Sequence, residues 1–210
     1  MRSVLFFDWD GTIADSMALC IGQIRLALQR MGLPDLPDSQ IRKCNGPTYE
    51  QAVPILGIPE ELGKEFLRQR QIAEMEVVPG MQRLFPGVRE MLDALHGRAM
   101  LVIVSNGLAE YIDLSIRVMG MTGVFDRIQP LVPGRTKAEL LHQLIEELKP
   151  DRALMIGDRL GDIDAGRVNG LPTVAACYGY GNDAEYAQAD YQAATVEDLH
   201  ALLEEWVDQK

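Results

Sequence analysis

Cysteine and histidine are scarce in this chain of 210 residues, with three of each. The cysteines are far apart, odd in number and without Cys-x-x-Cys spacing: Cys20, Cys44 and Cys177. This pattern excludes a disulfide framework and a cysteine-based zinc site, so we expect reduced cysteines. The histidines fall on separate predicted helices without ligand spacing, and we assign them no catalytic role.

Positive charge and long apolar runs are also scarce. Lys and Arg number 20 against 31 Asp and Glu, which gives a net charge of -11. This balance argues against nucleic acid and anionic membrane surfaces as partners. We predict no signal peptide and no membrane span, because the apolar runs are too short. We therefore expect a cytoplasmic protein and leave open whether it is a monomer or a homodimer.

The first candidate site residues along the chain lie in the segment VLFFDWDGTIADS. Val4 to Phe7 predict a buried strand, and Asp8 and Asp10 follow its carboxyl end, where open α/β sheets bind ligands. Two carboxylates this close repel by several kcal/mol at an effective dielectric of about 20. A shared proton or a hard divalent cation such as Mg²⁺ would offset the repulsion. The alternative interpretation of Asp-x-Asp-Gly is an ordinary polar turn.

The order of the predicted elements gives a fold class. Ser16 is the predicted N-cap of a helix that ends before Gly32, and three further helices follow at 38–45, 48–56 and 59–76. Strands then alternate with helices, and the later strands are predicted at 100–104, 153–156 and 173–176. This alternation is typical of a parallel sheet with helices on both faces.

We therefore predict an α/β protein with a Rossmann-like parallel sheet core and a small all-helical cap domain. The core is predicted to comprise residues 1–15 and 82–210, and the cap residues 16–81. An insertion directly after the first strand lies above the carboxyl ends of the strands, so the cap is placed to act as a lid.

Polar residues follow two later strands as well: Ser105, Asn106, Asp158 and Asp162. Since the carboxyl ends of parallel strands share one edge, we expect a single site there. Lys137 stands at the start of a predicted helix, where the helix dipole disfavours a cation by some tenths of a kcal/mol. An anion held between Lys137 and the strand ends would reverse that penalty; the alternative is a solvated surface lysine.

The order Asp-x-Asp, Ser-Asn, Lys, Gly-Asp-x-x-x-Asp resembles the four motifs of the haloacid dehalogenase superfamily of phosphohydrolases. The segments that carry the resemblance are DWDGTIADS, VIVSNG, RTKAELL and IGDRLGDIDAG, so the match covers essentially the whole chain. The arrangement is most similar to the phosphoglycolate phosphatase branch, which has a helical cap inserted after the first strand.

The resemblance implies a role for each motif residue. Asp8 would be the nucleophile that forms an aspartyl phosphate, and Asp10 the general acid and base. Ser105, Asn106 and Lys137 would hold the phosphoryl oxygens.

The resemblance also implies a Mg²⁺ site. Its ligands would be Asp8, the main-chain carbonyl of Asp10, and Asp158, with Asp162 acting through water or by orienting the others. Asp10 favours cleavage of a P–O bond over dehalogenation, since a halide leaves without a proton.

A loop of the predicted cap is the candidate for substrate selection. Its candidate residues are Lys43, Asn45, Gly46 and Tyr49. The alternative is a plain connection between helices, given the Gly-Pro turn. Tyr49 stands where the mutases of this superfamily usually carry a basic residue, which weakens a mutase interpretation.

Our leading hypothesis is a Mg²⁺-dependent phosphatase that hydrolyses a small phosphorylated metabolite through an aspartyl phosphate. Its substrate would be a phosphoglycolate-like or sugar phosphate monoester. The alternatives are a sugar-phosphate mutase or phosphotransferase using the same aspartyl phosphate, and a catalytically silent binding module.

Overall fold

A computed structural model describes residues 2–209 and shows one parallel sheet of six strands in the order β3-β2-β1-β4-β5-β6. The strands are β1 (Ser3–Phe7), β2 (Met100–Val104), β3 (Arg127–Gln129), β4 (Arg152–Gly157), β5 (Thr173–Ala176) and β6 (Tyr191–Ala193). Every neighbouring pair is parallel. The predicted α/β fold is therefore confirmed.

The sequence prediction missed two strands, β3 and β6. Each has only three residues, two of which are exposed, and each lies at an edge of the sheet. Short edge strands lack the apolar run that marks a buried strand, so the sequence pattern gave no signal for them.

Ten α-helices accompany the sheet within residues 2–209. They are α1 (Met17–Arg30), α2 (Asp38–Ile41), α3 (Tyr49–Ile55), α4 (Glu60–Met81), α5 (Val88–Leu95), α6 (Ala109–Val118), α7 (Lys137–Leu148), α8 (Leu160–Val168), α9 (Asp183–Tyr186) and α10 (Val196–Asp208). None of these helices is both long and apolar enough to cross a membrane.

Two predicted helix boundaries differ from the structure. The predicted helix 59–76 continues to Met81 as α4, although Pro79 lacks the N–H that would extend the backbone ladder. Val78, fully buried next to Pro79, packs in the main core and holds this last turn in place. Residues 42–44 of the predicted helix 38–45 form a 3₁₀ turn after α2.

Alternate residues of the central strand β1 face two different cores. Leu5 and Phe7 pack with apolar residues of α5, α6 and α10, whereas Val4 and Phe6 pack with those of α7 and α8. Helices thus cover both faces, and the carboxyl end of β1 is left in the middle of the sheet edge.

The segment from α1 to α4 contains no strand among its described residues and has an apolar core of its own, which includes Ile24, Leu28 and Phe66. The chain leaves and re-enters the sheet region through adjacent connections. There, Asp15 N donates to Arg83 O at 3.0 Å, and Phe85 N donates to Ile13 O at 3.2 Å. The division into core and cap domains at residues 15 and 82 stays a prediction.

Candidate active site

Asp8 and Asp10 lie at the carboxyl end of β1, in the middle of the sheet. Asp8 continues the pairing of β1 with β4, because its N–H donates to Ile156 O at 2.8 Å, and its side chain is buried. Gly11 then turns the chain with a φ of +90°, and a Cβ there would meet Asp158 Oδ2 at 2.2 Å. A glycine is therefore required both for the turn and for the close approach of Asp158.

Lys137 meets two buried carboxylates. Its Nζ donates to Asp8 Oδ1 at 2.7 Å and to Asp162 Oδ1 at 2.5 Å. Burial alone would lower the pKa of Lys137, but Asp162 and Asp8 outweigh this effect and hold it above its ordinary value. The anions that stabilise a lysine at the start of α7 are therefore protein side chains.

Asp158 completes a group of three acids. Asp8, Asp158 and Asp162 each offer a carboxylate oxygen within 4.8 Å of the other two. Tyr180 N donates to Asp158 Oδ2 at 2.7 Å, but Asp158 Oδ1 is buried without a partner among residues 2–209. Burial, and then the neighbouring charges, raise the pKa of Asp158 well above its ordinary value. One lysine does not balance three acids, so this group could hold a cation.

The pKa of Asp8 depends on its burial and on its charged neighbours. Burial is the main cause that raises its pKa to about 7, and the charge of Asp162 adds to the shift, while Lys137 opposes it. Asp10 is influenced differently. Burial raises its pKa, and the hydroxyls of Ser16 and Tyr111 lower it by hydrogen bonding; Tyr111 donates to Asp10 Oδ1 at 2.5 Å.

Ser105 and Asn106 follow β2 and lie at the same edge of the sheet. Ser105 is buried, and its Oγ accepts a hydrogen bond from Gly107 N at 3.0 Å. Asn106 Nδ2 donates to Gly46 O at 3.0 Å, so this side chain reaches across to the loop before α3. The structure thus brings together the polar residues that follow β1, β2 and β4, as the sequence predicted.

A model of the haloacid dehalogenase-like hydrolases matches residues 5–176. The chain belongs to this family. It is 27% identical over 204 residues to the phosphoglycolate phosphatase of Synechococcus elongatus, covering 93% of this chain and 94% of that protein. It is 24% identical over 212 residues to the tyrosine-protein kinase PtkA of Mycobacterium tuberculosis, covering 95% of this chain and 72% of that protein.

The fold is shared with a solved structure of a haloacid dehalogenase-like family hydrolase from Streptococcus pneumoniae, which is 24% identical. The TM-score is 0.87, and the match covers 97% of this chain and 98% of that chain. The family model and the phosphoglycolate phosphatase relative confirm the predicted resemblance. They also confirm the predicted class of enzyme, a hydrolase of the phosphatase type.

The hydrolase has a small cavity beside Asp8 and Asp10, which we call the inner cavity. Its volume is ≈ 40 Å³, and its lining includes Asp8, Asp10, Ser16, Asn45, Gly46, Tyr49, Arg70, Glu74, Ser105, Asn106 and Tyr111. Three of the four predicted loop residues thus reach it. Lys43 is exposed and lies outside this lining, so the structure does not bring it to the site.

Polar residues of the inner cavity that the sequence did not predict include Ser16, Arg70, Glu74 and Tyr111. Ser16 was predicted as a helix cap, but within residues 2–209 its side chain caps no backbone N–H of α1. Instead its Oγ accepts from Asn45 Nδ2 at 3.3 Å and bonds Asp10. The other three occupy helices far from Asp10 in sequence, where no local pattern distinguishes them from ordinary helix residues.

Proposed function

We propose that this hydrolase cleaves a small phosphate monoester, with Asp8 as nucleophile and Mg²⁺ as cofactor. One observation carries the proposal: Lys137 holds Asp8 Oδ1, while the neighbouring Asp158 keeps a buried oxygen without a partner among the described residues. A carboxylate can attack a phosphate dianion only if nearby cations neutralise both. The similarity to a phosphoglycolate phosphatase supports the same type of reaction.

The donor set fits magnesium. Asp8 and Asp158 supply carboxylate oxygens in the group of three acids, and the orphaned Oδ1 of Asp158 has the character of a ligand atom. The main-chain carbonyl of Asp10 would add a third oxygen. Asp162 bonds Lys137 and the backbone N–H of Arg159, so it would orient the site or act through a bound water. Bound Mg²⁺ would neutralise charge on the acids and on the phosphoryl oxygens.

The first chemical step breaks the bond between phosphorus and the leaving oxygen. The Asp8 oxygen not held by Lys137 attacks phosphorus and forms an aspartyl phosphate, while protonated Asp10 gives its proton to the leaving oxygen. Burial raises the pKa of Asp10, which favours the protonated form needed here. Ser105, Asn106 and Lys137 would hold the phosphoryl oxygens.

The second step releases phosphate. Asp10, now ionised, takes a proton from a water molecule that attacks phosphorus, and Asp8 leaves as a carboxylate. Tyr111 and Ser16 keep Asp10 in position through both steps by their hydrogen bonds.

Hydrolysis of p-nitrophenyl phosphate with Mg²⁺, with EDTA, and with Asp8→Asn tests the proposal. We expect activity with Mg²⁺, a loss of at least about 1,000-fold in Asp8→Asn, and a comparable loss in EDTA. The matched control is Asp113→Asn, because Asp113 is exposed on α6 and pairs with Arg117. Activity that survives Asp8→Asn would refute Asp8 as the nucleophile.

A phosphotransferase is the second candidate, because a protein named a tyrosine kinase is also similar to this chain. It would use the same aspartyl phosphate but pass the phosphoryl group to an acceptor other than water. Product analysis distinguishes the two functions: free inorganic phosphate marks a phosphatase, and a new phosphorylated product marks a transferase.

A further inference from the structure

Arg70 is a buried cation that the proposed chemistry does not use. It lies on α4 with only 4% of its surface exposed, and it lines the inner cavity. Its Nε and Nη1 atoms are buried without a hydrogen-bond partner in residues 2–209, and it forms no salt bridge with a carboxylate of those residues. A buried guanidinium left unpaired is costly, so a ligand group that accepts its hydrogen bonds would be favoured beside it.

The orientation of Arg70 is set by its neighbours. Its guanidinium carbon lies 4.2 Å from the centre of the Tyr49 ring, in a cation–π contact, and the Tyr49 hydroxyl donates to Glu74. This stacking fixes the plane of the guanidinium fork before a ligand arrives. A fixed planar fork matches the two oxygens of a carboxylate.

The charges of the inner cavity favour an anion near Arg70 only. Arg70 is the one cation among the described residues that line the cavity, whereas Asp8, Asp10 and Glu74 are acids. Burial raises the pKa of Glu74 to about 7, so this neighbour carries a proton for much of the time at neutral pH. A carboxylate beside Arg70 is therefore not met by a full negative charge on Glu74.

We propose that Arg70 binds a carboxylate on the leaving group of the substrate and thereby selects short phosphorylated carboxylic acids. The inference rests on the proposed function, because it places the phosphoryl group at Asp8 and the leaving oxygen at Asp10. A cavity of ≈ 40 Å³ has room for roughly three water-sized groups, which suits one carboxylate.

Kinetics with two esters of equal length test the proposal: 2-phosphoglycolate and its neutral counterpart, 2-hydroxyethyl phosphate. The variants are Arg70→Gln, Arg70→Lys and the matched control Arg68→Gln, since Arg68 is exposed on the same helix and pairs with Glu65. Each is assayed as the full chain with Mg²⁺, and thermal unfolding of each variant checks that it is folded.

We expect Arg70→Gln to lower kcat/KM for 2-phosphoglycolate by about 10- to 100-fold, mainly through KM, and to change that for 2-hydroxyethyl phosphate by less than about threefold. Arg70→Lys should retain part of the preference, and Arg68→Gln all of it. An equal loss on both esters would overturn the role of Arg70, as would a wild-type enzyme with no preference for 2-phosphoglycolate.

A different result would refute the proposed function. A wild-type enzyme that hydrolyses neither ester nor p-nitrophenyl phosphate would refute phosphatase action itself. If Arg70→Gln does not fold, the comparison of wild type with Arg70→Lys decides: the ratio of kcat/KM for the two esters must exceed about tenfold in the wild type and fall in the variant.

Discussion

The ionisable side chains around Asp8 are buried, so the charge of each is balanced only by its nearest neighbours. Lys137 offsets part of the charge of Asp8 and Asp162, whereas Asp158 keeps one oxygen unpaired among residues 2–209. Such burial costs free energy of folding when no ligand is bound. The site is therefore a place where stability is given up for binding and catalysis.

Glu74 should make the stability of the metal-free protein depend on pH. Burial is the main cause that raises its pKa from 4.5 to about 7, so the folded chain binds more protons than the unfolded chain between these values. The Glu74 carboxyl therefore contributes to the free energy of unfolding at low pH, and this contribution is lost as the pH rises through that interval. We therefore expect the free energy of unfolding of Glu74→Gln, measured relative to that of wild type, to rise by roughly 2–3 kcal/mol from pH 5 to pH 8.

Urea unfolding in EDTA at the two pH values measures this difference. Glu61→Gln is the control, because Glu61 is exposed in the first turn of the same helix. An equal difference between Glu74→Gln and wild type at both pH values would contradict the prediction.

At the scale of elements, the start of α7 places Lys137 in the site. Thr136 caps this helix in a reciprocal capping box: its Oγ1 accepts from Glu139 N at 3.2 Å, and its N–H donates to Glu139 Oε2 at 2.8 Å. The same motif opens α10, where Thr195 Oγ1 accepts from Asp198 N at 3.1 Å. The two caps are alike, but only the first is followed by a residue of the site.

We predict that Thr136→Ala and Thr195→Ala each lower the free energy of unfolding by about 1 kcal/mol. Only Thr136→Ala should also lower kcat, by several-fold, because the loosened first turn lets Lys137 move away from Asp8. Denaturant titrations and steady-state kinetics of both variants provide the measurement. Equal kcat values in the two variants would show that the cap of α7 does not position the lysine.

A loop of the helical segment, residues 45–47, lies between two spaces that both reach Asp8. Gly46 and Pro47 line the inner cavity and also a wider cleft of ≈ 450 Å³ on the Lys137 side. Arg159 Nη1 donates to Asn45 O at 2.6 Å, and Asn106 donates to Gly46 O. These two bonds join the loop to the sheet region.

We predict that Arg159→Met loosens this loop. Because a hydrogen bond to a charged donor contributes about 1.5 kcal/mol or more, amide hydrogen exchange in residues 44–48 should speed up by about tenfold. Exchange in β4 should stay unchanged. Arg167→Met is the control, since Arg167 is exposed on α8 and pairs with Asp164; a similar increase there would mean that the contact with Asn45 is not the cause.

Local patterns in the sequence predicted the buried strands, the edge of the sheet where the site lies, and the family. The apolar runs of β1, β2, β4 and β5 specified the buried strands, and the polar residues after three of them marked the edge where the site lies. These features are local because side-chain period and turn chemistry act over a few residues. The spacing of the four motifs was enough to indicate the family.

Which distant residues meet depends on the packing of the whole chain. The position of β1 between β2 and β4 brings Lys137 to Asp8, and the packing of α4 and α6 brings Arg70 and Tyr111 to the inner cavity. Burial and unpaired hydrogen-bonding groups depend on contacts across more than a hundred residues, such as that of Tyr111 with Asp10. No local pattern encodes them, because their free energy arises only when the whole chain is packed.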